Sequence, residues 1–266
     1  MIGLSGVSAL ATLTLLTPMI APFDPLQLYV GPALTPPCAA FPLGTDDFGR
    51  DVLSRLLYGG RVSLSVGLLA VFIAATTGTL VGAVAGYFGG LVDRLLMSFV
   101  DLLLAFPHLL LLITITGLFR LQGVANLVLM VTVLGLTGWM AVARIVRSQV
   151  LSLREQEFVQ AARALGLGHR RIVFGQILPN ALAPVIVYCS LAVGSTMLSE
   201  AALSFLGLGV PPPTPTWGVM VNEGRDVLQR APWIAAFPGL SIVAAVMCFN
   251  LLGDGLRDAL DPRLRS

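Results

Sequence analysis

Lysine is absent from this sequence, and all 16 basic residues among its 266 residues are arginines. A phosphate-binding loop of the G-x-x-x-x-G-K-S/T type requires a lysine on the β- and γ-phosphates. Schiff-base and Ser-Lys mechanisms require a lysine amine. The sequence therefore excludes these nucleotide-binding and catalytic sites from this chain.

Charge is also scarce. Charged residues make up 11% of the chain, against roughly 25% in a soluble globular protein. Apolar residues make up 56%, and the mean hydropathy is +0.88. The three cysteines, Cys38, Cys189 and Cys248, are too far apart for a C-x-x-C metal pair or an evident disulfide framework. This composition excludes a disordered protein and almost any water-soluble enzyme, and it predicts an all-α, polytopic membrane protein.

Six windows without Asp, Glu or Arg are candidate membrane spans, because a span needs about 20 apolar residues. The third window is short, and extending it back to residue 95 takes in Asp101. We expect the first helix to be retained rather than cleaved as a signal, since it has no basic n-region and no clear A-x-A site. Its abrupt apolar start suggests that a short polar leader precedes it. The six windows cover residues 1–23, 62–92, 102–119, 121–143, 172–199 and 231–253.

The arginines predict an orientation for these six helices. If the N-terminus is cytoplasmic, ten arginines fall in inside segments and six in outside segments, as the positive-inside rule favours. Both termini are therefore expected in the cytoplasm, with long outside segments at 24–61 and 210–230. We divide the chain into residues 1–61, the first helix with an extracytoplasmic segment, and residues 62–266, a core transmembrane domain.

The longest inside loop, at about residues 152–179, contains a predicted surface helix. Ser152 and Glu155 have the spacing of a capping box, and residues 155–165 are rich in helix formers. Gly166 and Gly168 are expected to end the helix, and the chain is expected to re-enter the membrane at about Ile172. Pro179 then marks a kink or restart.

One side of the predicted helix carries Phe158, Ala161, Ala162 and Leu165 at i, i+3, i+4, i+7 spacing. Small residues allow another surface to approach closely, so this helix could lie in a partner's groove. The spacing fits equally well an interfacial helix on lipid headgroups, with the basic turn at Arg170 and Arg171 near anionic lipid. The sequence pattern leaves both interpretations open.

The same loop resembles a known motif. QAARALG from Gln160, followed by ILPN, is similar to the EAA motif, EAA-x3-G-x9-I-x-L-P, of the membrane-spanning subunits of bacterial ABC importers. Gln160 replaces the first glutamate of the motif, and Gln176 occupies its isoleucine position. The positions that match are Ala161, Ala162, Gly166, Leu178 and Pro179.

Three further segments narrow the family. The stretches from Phe41, Glu200 and Asn250 resemble the second permease of the dipeptide, oligopeptide and nickel importers. The resemblance covers nearly the whole chain from about Asp24. It implies a type I ABC importer transmembrane domain in the bacterial cytoplasmic (inner) membrane, working by ATP-driven alternating access. We expect peptides as the solute, with nickel or a nickel chelate as the alternative.

The resemblance also implies the partners. These are a second homologous permease, two cytoplasmic ATPase subunits, an extracytoplasmic solute-binding protein and membrane lipids, without nucleic acid. No cofactor is expected in this chain, because ATP and Mg would bind the ATPase subunits. The loop would dock on an ATPase through Glu155, Glu157, Phe158, Gln160, Ala161, Ala162, Arg163, Leu165, Gly166, Leu167, Gly168, His169 and Arg170, with Leu178 and Pro179 ending the motif.

Two classes of alternative function lack support in the sequence. A proton-coupled secondary carrier normally needs repeat symmetry and an intramembrane proton relay, and we find no inverted repeat and only isolated acids. A membrane-embedded enzyme needs a clustered nucleophile, base or metal ligands. The two histidines do not provide them: His108 is expected to pack within the third span, and His169 is expected to be solvated.

The isolated acids Asp101 and Glu200 lie within or beside apolar spans, where a charge costs several kcal/mol. Either residue could line the translocation path or act at a gate. For Asp101 we favour a structural acid near the cytoplasmic surface, whereas packing and substrate contact remain equally open for Glu200.

Outside the membrane, the spacing of Asp51 and Arg55 predicts an i, i+4 pair on a short amphipathic helix. That helix could be solvated or contact a binding protein or sister permease.

Overall fold

The computed structural model describes residues 2–119, 121 and 123–260. This part of the chain is helical and contains no β-strand, only an isolated antiparallel bridge between Thr45 and Asp51. A π-helical segment, Val173–Ile177, joins α8 to α9. The α-helices are α1 Ile2–Leu15, α2 Thr17–Ile20, α3 Val52–Phe88, α4 Gly90–Leu104, α5 His108–Leu118, α6 Val124–Leu153, α7 Glu157–Ala164, α8 His169–Ile172, α9 Leu178–Phe205, α10 Trp217–Arg225 and α11 Trp233–Leu260.

Four helical stretches of the described chain are long and apolar enough to cross a membrane: α3, α6, α8 through α9, and α11. The pair α4 and α5, bent by 83° at its break, forms a fifth span if it is counted as one. The shorter apolar helix α1 packs against α11. The six apolar windows of the sequence thus correspond to α1, α3, α4 with α5, α6, α9 and α11.

The second span starts earlier than the sequence predicted. The expected start was residue 62, but α3 begins at Val52, because the side chain of Asp51 accepts a hydrogen bond from the Ser54 N–H at 2.8 Å and caps the helix. The 37 residues of α3 extend about 55 Å, well beyond a hydrocarbon core of about 30 Å. The expected boundary between residues 61 and 62 therefore falls inside one continuous helix.

The third span is broken, which the sequence did not predict. Ala105 ends α4, and Pro107 is the N-cap of α5. Proline has no backbone N–H and disfavours a helical conformation of the residue before it. The chain therefore bends here instead of continuing as one helix.

Close packing between α3 and α6 forms the centre of the bundle. Gly78, Gly82 and Gly86 recur every four residues on α3 and face α6. A Cβ atom added at Gly78 would lie 2.6 Å from the Trp139 carbonyl oxygen. Small residues at this spacing let two helix backbones approach closely, as is common between membrane helices.

The two ends of α3 define two ends of the molecule. At its start, α3 contacts the residues before Val52 and α10. At its end, Tyr87 lies against residues of the loop that follows α6. We call these the α10 end and the α7 end.

Candidate functional site

The helix α7 lies against the α7 end of the bundle with one side buried. Val159 and Ala162 are buried in an apolar cluster that includes Val146 and Val150 of α6 and Tyr87 of α3. An eight-residue helix is marginal by itself in water. This buried side therefore fixes α7 to the ends of two membrane-spanning helices.

The start of α7 differs from the predicted capping box. Ser152 lies inside α6, which continues to Leu153, so its side chain is not at a helix start. The N-cap of α7 is Gln156, which makes no side-chain capping bond. Instead, the amide of Gln160 donates to the backbone oxygen of Glu155 at 3.0 Å.

The predicted glycine stop of α7 is confirmed. Gly166 has φ +76°, a conformation that favours glycine. Its N–H donates to the Arg163 oxygen at 2.9 Å, and the Leu167 N–H donates to the Ala162 oxygen at 3.1 Å. These two bonds are a Schellman motif. Gly168 then precedes α8 as its N-cap.

Polar contacts join this loop to α3. The Tyr87 hydroxyl lies 2.8 Å from Nδ1 of His169, and the Arg163 guanidinium lies 5.5 Å from the centre of the Tyr87 ring. Arg154 donates to the Gly86 carbonyl oxygen at 2.8 Å. His169 was expected to be solvated, but it is both exposed and bonded to α3. Three side chains thus hold the loop on the last turn of α3.

The outer side of α7 is apolar and exposed. Leu165 is 80% exposed and Phe158 40% exposed, and with exposed Ala161 they form a stripe at i, i+3, i+7 spacing. The expected face is divided, because Ala162 points inward. We call Phe158, Ala161 and Leu165 the outer stripe.

The remaining loop residues predicted for docking are mostly exposed. Leu178 is buried at the start of α9, next to the exposed Pro179, which follows the π-helical segment. Leu167 is half-buried. The other exposed positions are Glu155, Glu157, Gln160, Arg163, Gly166, Gly168, His169 and Arg170.

Asp101 forms an ion pair with α6. Its carboxylate lies 2.5 Å from Nη2 of Arg144, and both side chains are more than half exposed. Two turns earlier on α4, Asp93 accepts from Nη2 of Arg147 at 2.6 Å. The two pairs tie the first half of the broken span to α6, an arrangement that fits a structural acid at Asp101.

Glu200 is buried, with 1% of its surface exposed. The Ser204 hydroxyl donates to one carboxylate oxygen at 2.8 Å, and the Ser63 hydroxyl donates to the other at 3.3 Å. Ser63 also accepts from the Trp217 N–H at 3.1 Å. Glu200 therefore connects α9, α3 and the start of α10, which fits the packing interpretation rather than substrate contact.

A buried charge cluster lies at the α10 end. Nη1 of Arg55 contacts Asp46 at 2.5 Å and Glu223 of α10 at 2.7 Å. Arg50 pairs with Asp46 at 2.6 Å. The predicted pair between Asp51 and Arg55 is wrong, because Asp51 caps α3. Of the two alternatives left open for this helix, a solvated surface helix does not fit, since Arg55 is 1% exposed.

The sequence analysis did not predict Glu223 as part of this cluster, and the acidic pair Asp46 and Asp47 beside Arg50 is the local signal that could have pointed to it. Burial raises the pKa of Asp47, and the neighbouring Asp46 and Glu223 carboxylates raise it further while Arg50 lowers it. The cluster is therefore crowded with carboxylates around two guanidinium groups.

These features define a polytopic helical membrane protein with one short helix held against the ends of its spans. The chain belongs to the family described as binding-protein-dependent transport system inner membrane components, whose sequence profile matches residues 78–266. It is a permease subunit of an ABC importer and not itself an enzyme. The family predicted from the EAA-like motif and three further segments is confirmed.

Individual relatives give the extent of the similarity. The chain is 42% identical over 265 residues to the dipeptide transport system permease protein DppC of Alkalihalophilus pseudofirmus, covering 100% of this chain and 86% of the relative. It is 44% identical over 222 residues to the oligopeptide transport system permease protein OppC of Haemophilus influenzae, covering 84% and 70%.

A solved structure supports the fold. The chain is similar to a subunit of the inward-facing MetNI methionine ABC transporter, with a TM-score of 0.64 and 17% identity. The similarity covers 78% of this chain and 96% of that chain. The predicted type I importer transmembrane fold is confirmed.

Proposed function

We propose that this chain forms part of the membrane pathway of an ATP-driven importer of small peptides, and that α7 docks on a separate ATPase subunit. The observation that carries the proposal is the two-sided geometry of α7. Its inner side is fixed to α3 and α6, and its outer stripe is apolar and exposed. A short helix with an exposed apolar side is suited to a groove on a partner protein.

The contacts of α7 suggest how a movement of the ATPase reaches the membrane. Arg154, Arg163 and His169 hold the loop on α3, and α8 continues through the π-helical segment into α9. A displacement of α7 therefore acts on α3, α6 and α9 together. Nucleotide binding to the ATPase would in this way shift the bundle between inward-facing and outward-facing states.

The rest of the assembly follows from this arrangement. The α7 end faces the cytoplasm, so the α10 end faces outward, where a solute-binding protein delivers the peptide. ATP and Mg bind two ATPase subunits, and a second homologous permease completes the pathway. Arg170 and Arg171 are placed to contact anionic lipid headgroups. The similarity to a dipeptide and an oligopeptide permease favours peptides over nickel as the solute.

The test uses the complete transporter. The tagged chain is extracted from its native membrane in mild detergent, the proteins that copurify are identified by mass spectrometry, and the complex is reconstituted in liposomes with its binding protein. We expect a second permease, one or two P-loop ATPases, and ATP-dependent uptake of a radiolabelled dipeptide. Extraction of this chain alone, with uptake driven by a proton gradient without ATP, would contradict the proposal. ATP-driven uptake of nickel but not dipeptide would overturn the assigned solute.

A further inference from the structure

A cavity of about 290 Å³ lies beside the break in the third span. Its walls are residues 70–74 of α3, the 103–108 break, residues 134–142 of α6 and residues 188–199 of α9. The stretches of α3 and α6 are near the middle of those helices, so the cavity lies near half the height of the bundle. Irregular backbone at membrane depth is tolerated where it lines a cavity or is buried in protein.

The cavity lining is mainly apolar, with a set of uncharged polar side chains and no Asp, Glu or Arg. A charged group placed here would be costly, because a charge in the membrane core costs several kcal/mol without a partner. The polar groups come from α5, α6 and one face of α9. They are His108, Thr137, Tyr188, Ser195, Thr196 and Ser199.

The serine and threonine hydroxyl groups of α9 in this lining each donate their proton within the helix. Ser195 and Thr196 donate to the Ala192 carbonyl oxygen at 3.0 and 2.7 Å, and Ser199 donates to the Ser195 oxygen at 3.0 Å. A hydroxyl oxygen keeps its lone pairs when its proton is donated. These side chains can therefore offer the cavity hydrogen-bond acceptors.

The His108 side of the cavity also offers hydrogen-bond acceptors. Thr137 lies 2.9 Å from the Val133 oxygen, to which its hydroxyl can donate, and its oxygen can then accept from Nε2 of His108 at 3.2 Å. In a neutral imidazole with Nε2 protonated, Nδ1 is an acceptor. That nitrogen has no hydrogen-bond partner in the part of the chain that the structure describes.

Tyr188 offers the cavity a hydrogen-bond donor. Its hydroxyl can donate, and it makes no hydrogen bond to any other described residue. The cavity therefore combines several acceptors with one available donor. An amide group, with one N–H and one C=O, has the complementary set.

We propose that this cavity is a subsite of the translocation path that receives an uncharged segment of a peptide, with the hydroxyl oxygens accepting amide N–H groups and Tyr188 donating to a carbonyl. The inference rests on the proposed function and deepens it. Ligand pockets usually measure about 300 to 1,000 Å³, so a cavity of this size holds part of a peptide rather than a long one.

Cysteine labelling tests the site in the complete transporter. In a chain with Cys38, Cys189 and Cys248 replaced by alanine, Ser195→Cys is compared with Leu198→Cys, an exposed α9 position outside the cavity lining. We expect a water-soluble methanethiosulfonate reagent to modify Ser195→Cys, a dipeptide to slow this reaction, and modified transporter to lose at least tenfold in uptake. Leu198→Cys should keep its uptake after the same treatment.

Full uptake after complete modification of Ser195→Cys would overturn the subsite while leaving the proposed function intact. ATP-independent or absent dipeptide uptake by the wild-type complex would instead overturn the proposed function and the subsite with it.

Two variants that retain the native cysteines test the subsite if the cysteine-free chain folds poorly. Ser199→Phe should abolish uptake with normal assembly, and Tyr188→Phe should raise the KM for dipeptide by about three- to tenfold. An unchanged KM in Tyr188→Phe and normal uptake by Ser199→Phe would also contradict the subsite.

Discussion

Arg55 is the residue on which the α10 end most depends. One guanidinium nitrogen contacts both Asp46 and Glu223, and the side chain is almost fully buried. Removing one partner of a buried ion pair is strongly destabilising, because it leaves uncompensated charge. We therefore expect Arg55→Met to lower the free energy of unfolding by about 3–5 kcal/mol, measured by thermal or denaturant unfolding in detergent.

Arg225 provides the matched control for Arg55. It pairs with Asp226 at 3.2 Å, but both side chains are exposed. Exposed pairs contribute about 0–1 kcal/mol, so Arg225→Met should unfold nearly as the wild type does. Equal stability losses in the two variants would show that the cluster does not hold α10 in place.

Substitutions of Glu200 distinguish a packing role of this side chain from contact with the solute. Both carboxylate oxygens accept hydrogen bonds from serine hydroxyls inside the protein. Glu200→Gln keeps the size and one acceptor, so we expect ATP-driven uptake per assembled transporter close to wild type. Glu200→Ala should reduce assembly, because it leaves a cavity and unpaired hydroxyls. Normal assembly of Glu200→Gln with strongly reduced uptake would instead indicate contact with the solute.

At the residue scale, the sequence shows which charged residues lie near the start of α3, but it does not predict which of them form ion pairs. The i, i+4 spacing indicated a pair between Asp51 and Arg55, yet Asp51 is needed to cap α3. Glu223 lies far along the chain from Arg55, and no local pattern relates them. Ion pairs that depend on tertiary packing could not be derived from spacing.

At the element scale, Gly166 determines where α7 ends. It has a positive φ, and an added Cβ would meet nothing within 4 Å, so the cost of a side chain arises from the backbone conformation alone. A β-branched residue there costs roughly 1–2 kcal/mol. We expect Gly166→Val to disrupt the turn and uncouple transport, giving ATP hydrolysis without dipeptide uptake while the binding protein still captures solute.

Gly168 is the control for this turn. It also has open space around it, but its φ of −66° suits any residue. Gly168→Ala should therefore retain uptake. Unchanged ATP-dependent uptake in Gly166→Val at normal expression would contradict the coupling role of this loop.

The helices of the structure agree closely with the sequence predictions where the apolar run is long. Each of the six apolar windows corresponds to helix in the structure, because burial of an uncharged run in lipid leaves few other options. The break at Pro107 and the helix α10 were not predicted. The proline marks the first, because it disfavours a helical conformation of the residue before it. The second depends on buried contacts of α10 with α3 and α9, which no local pattern shows.

At the scale of the whole molecule, the chain is a permease subunit of an ABC importer. It has no lysine, so it cannot form a phosphate-binding loop of the G-x-x-x-x-G-K-S/T type. The EAA-like loop predicts a docking surface only as a group of residues. The division of α7 into an inner side at Val159 and Ala162 and an outer stripe required the packing against α3 and α6.

Site-specific crosslinking of α7 in the complete transporter tests whether the outer stripe docks on an ATPase subunit. In the cysteine-free chain, Leu165→Cys places a thiol on the outer stripe, and Leu228→Cys places one at the α10 end, where Leu228 is also exposed. With a short bifunctional thiol reagent, we predict that Leu165→Cys yields a crosslink to the ATPase subunit, that nucleotide changes its yield, and that Leu228→Cys yields none to that subunit. Crosslinking of the ATPase from Leu228→Cys but not from Leu165→Cys would contradict the account.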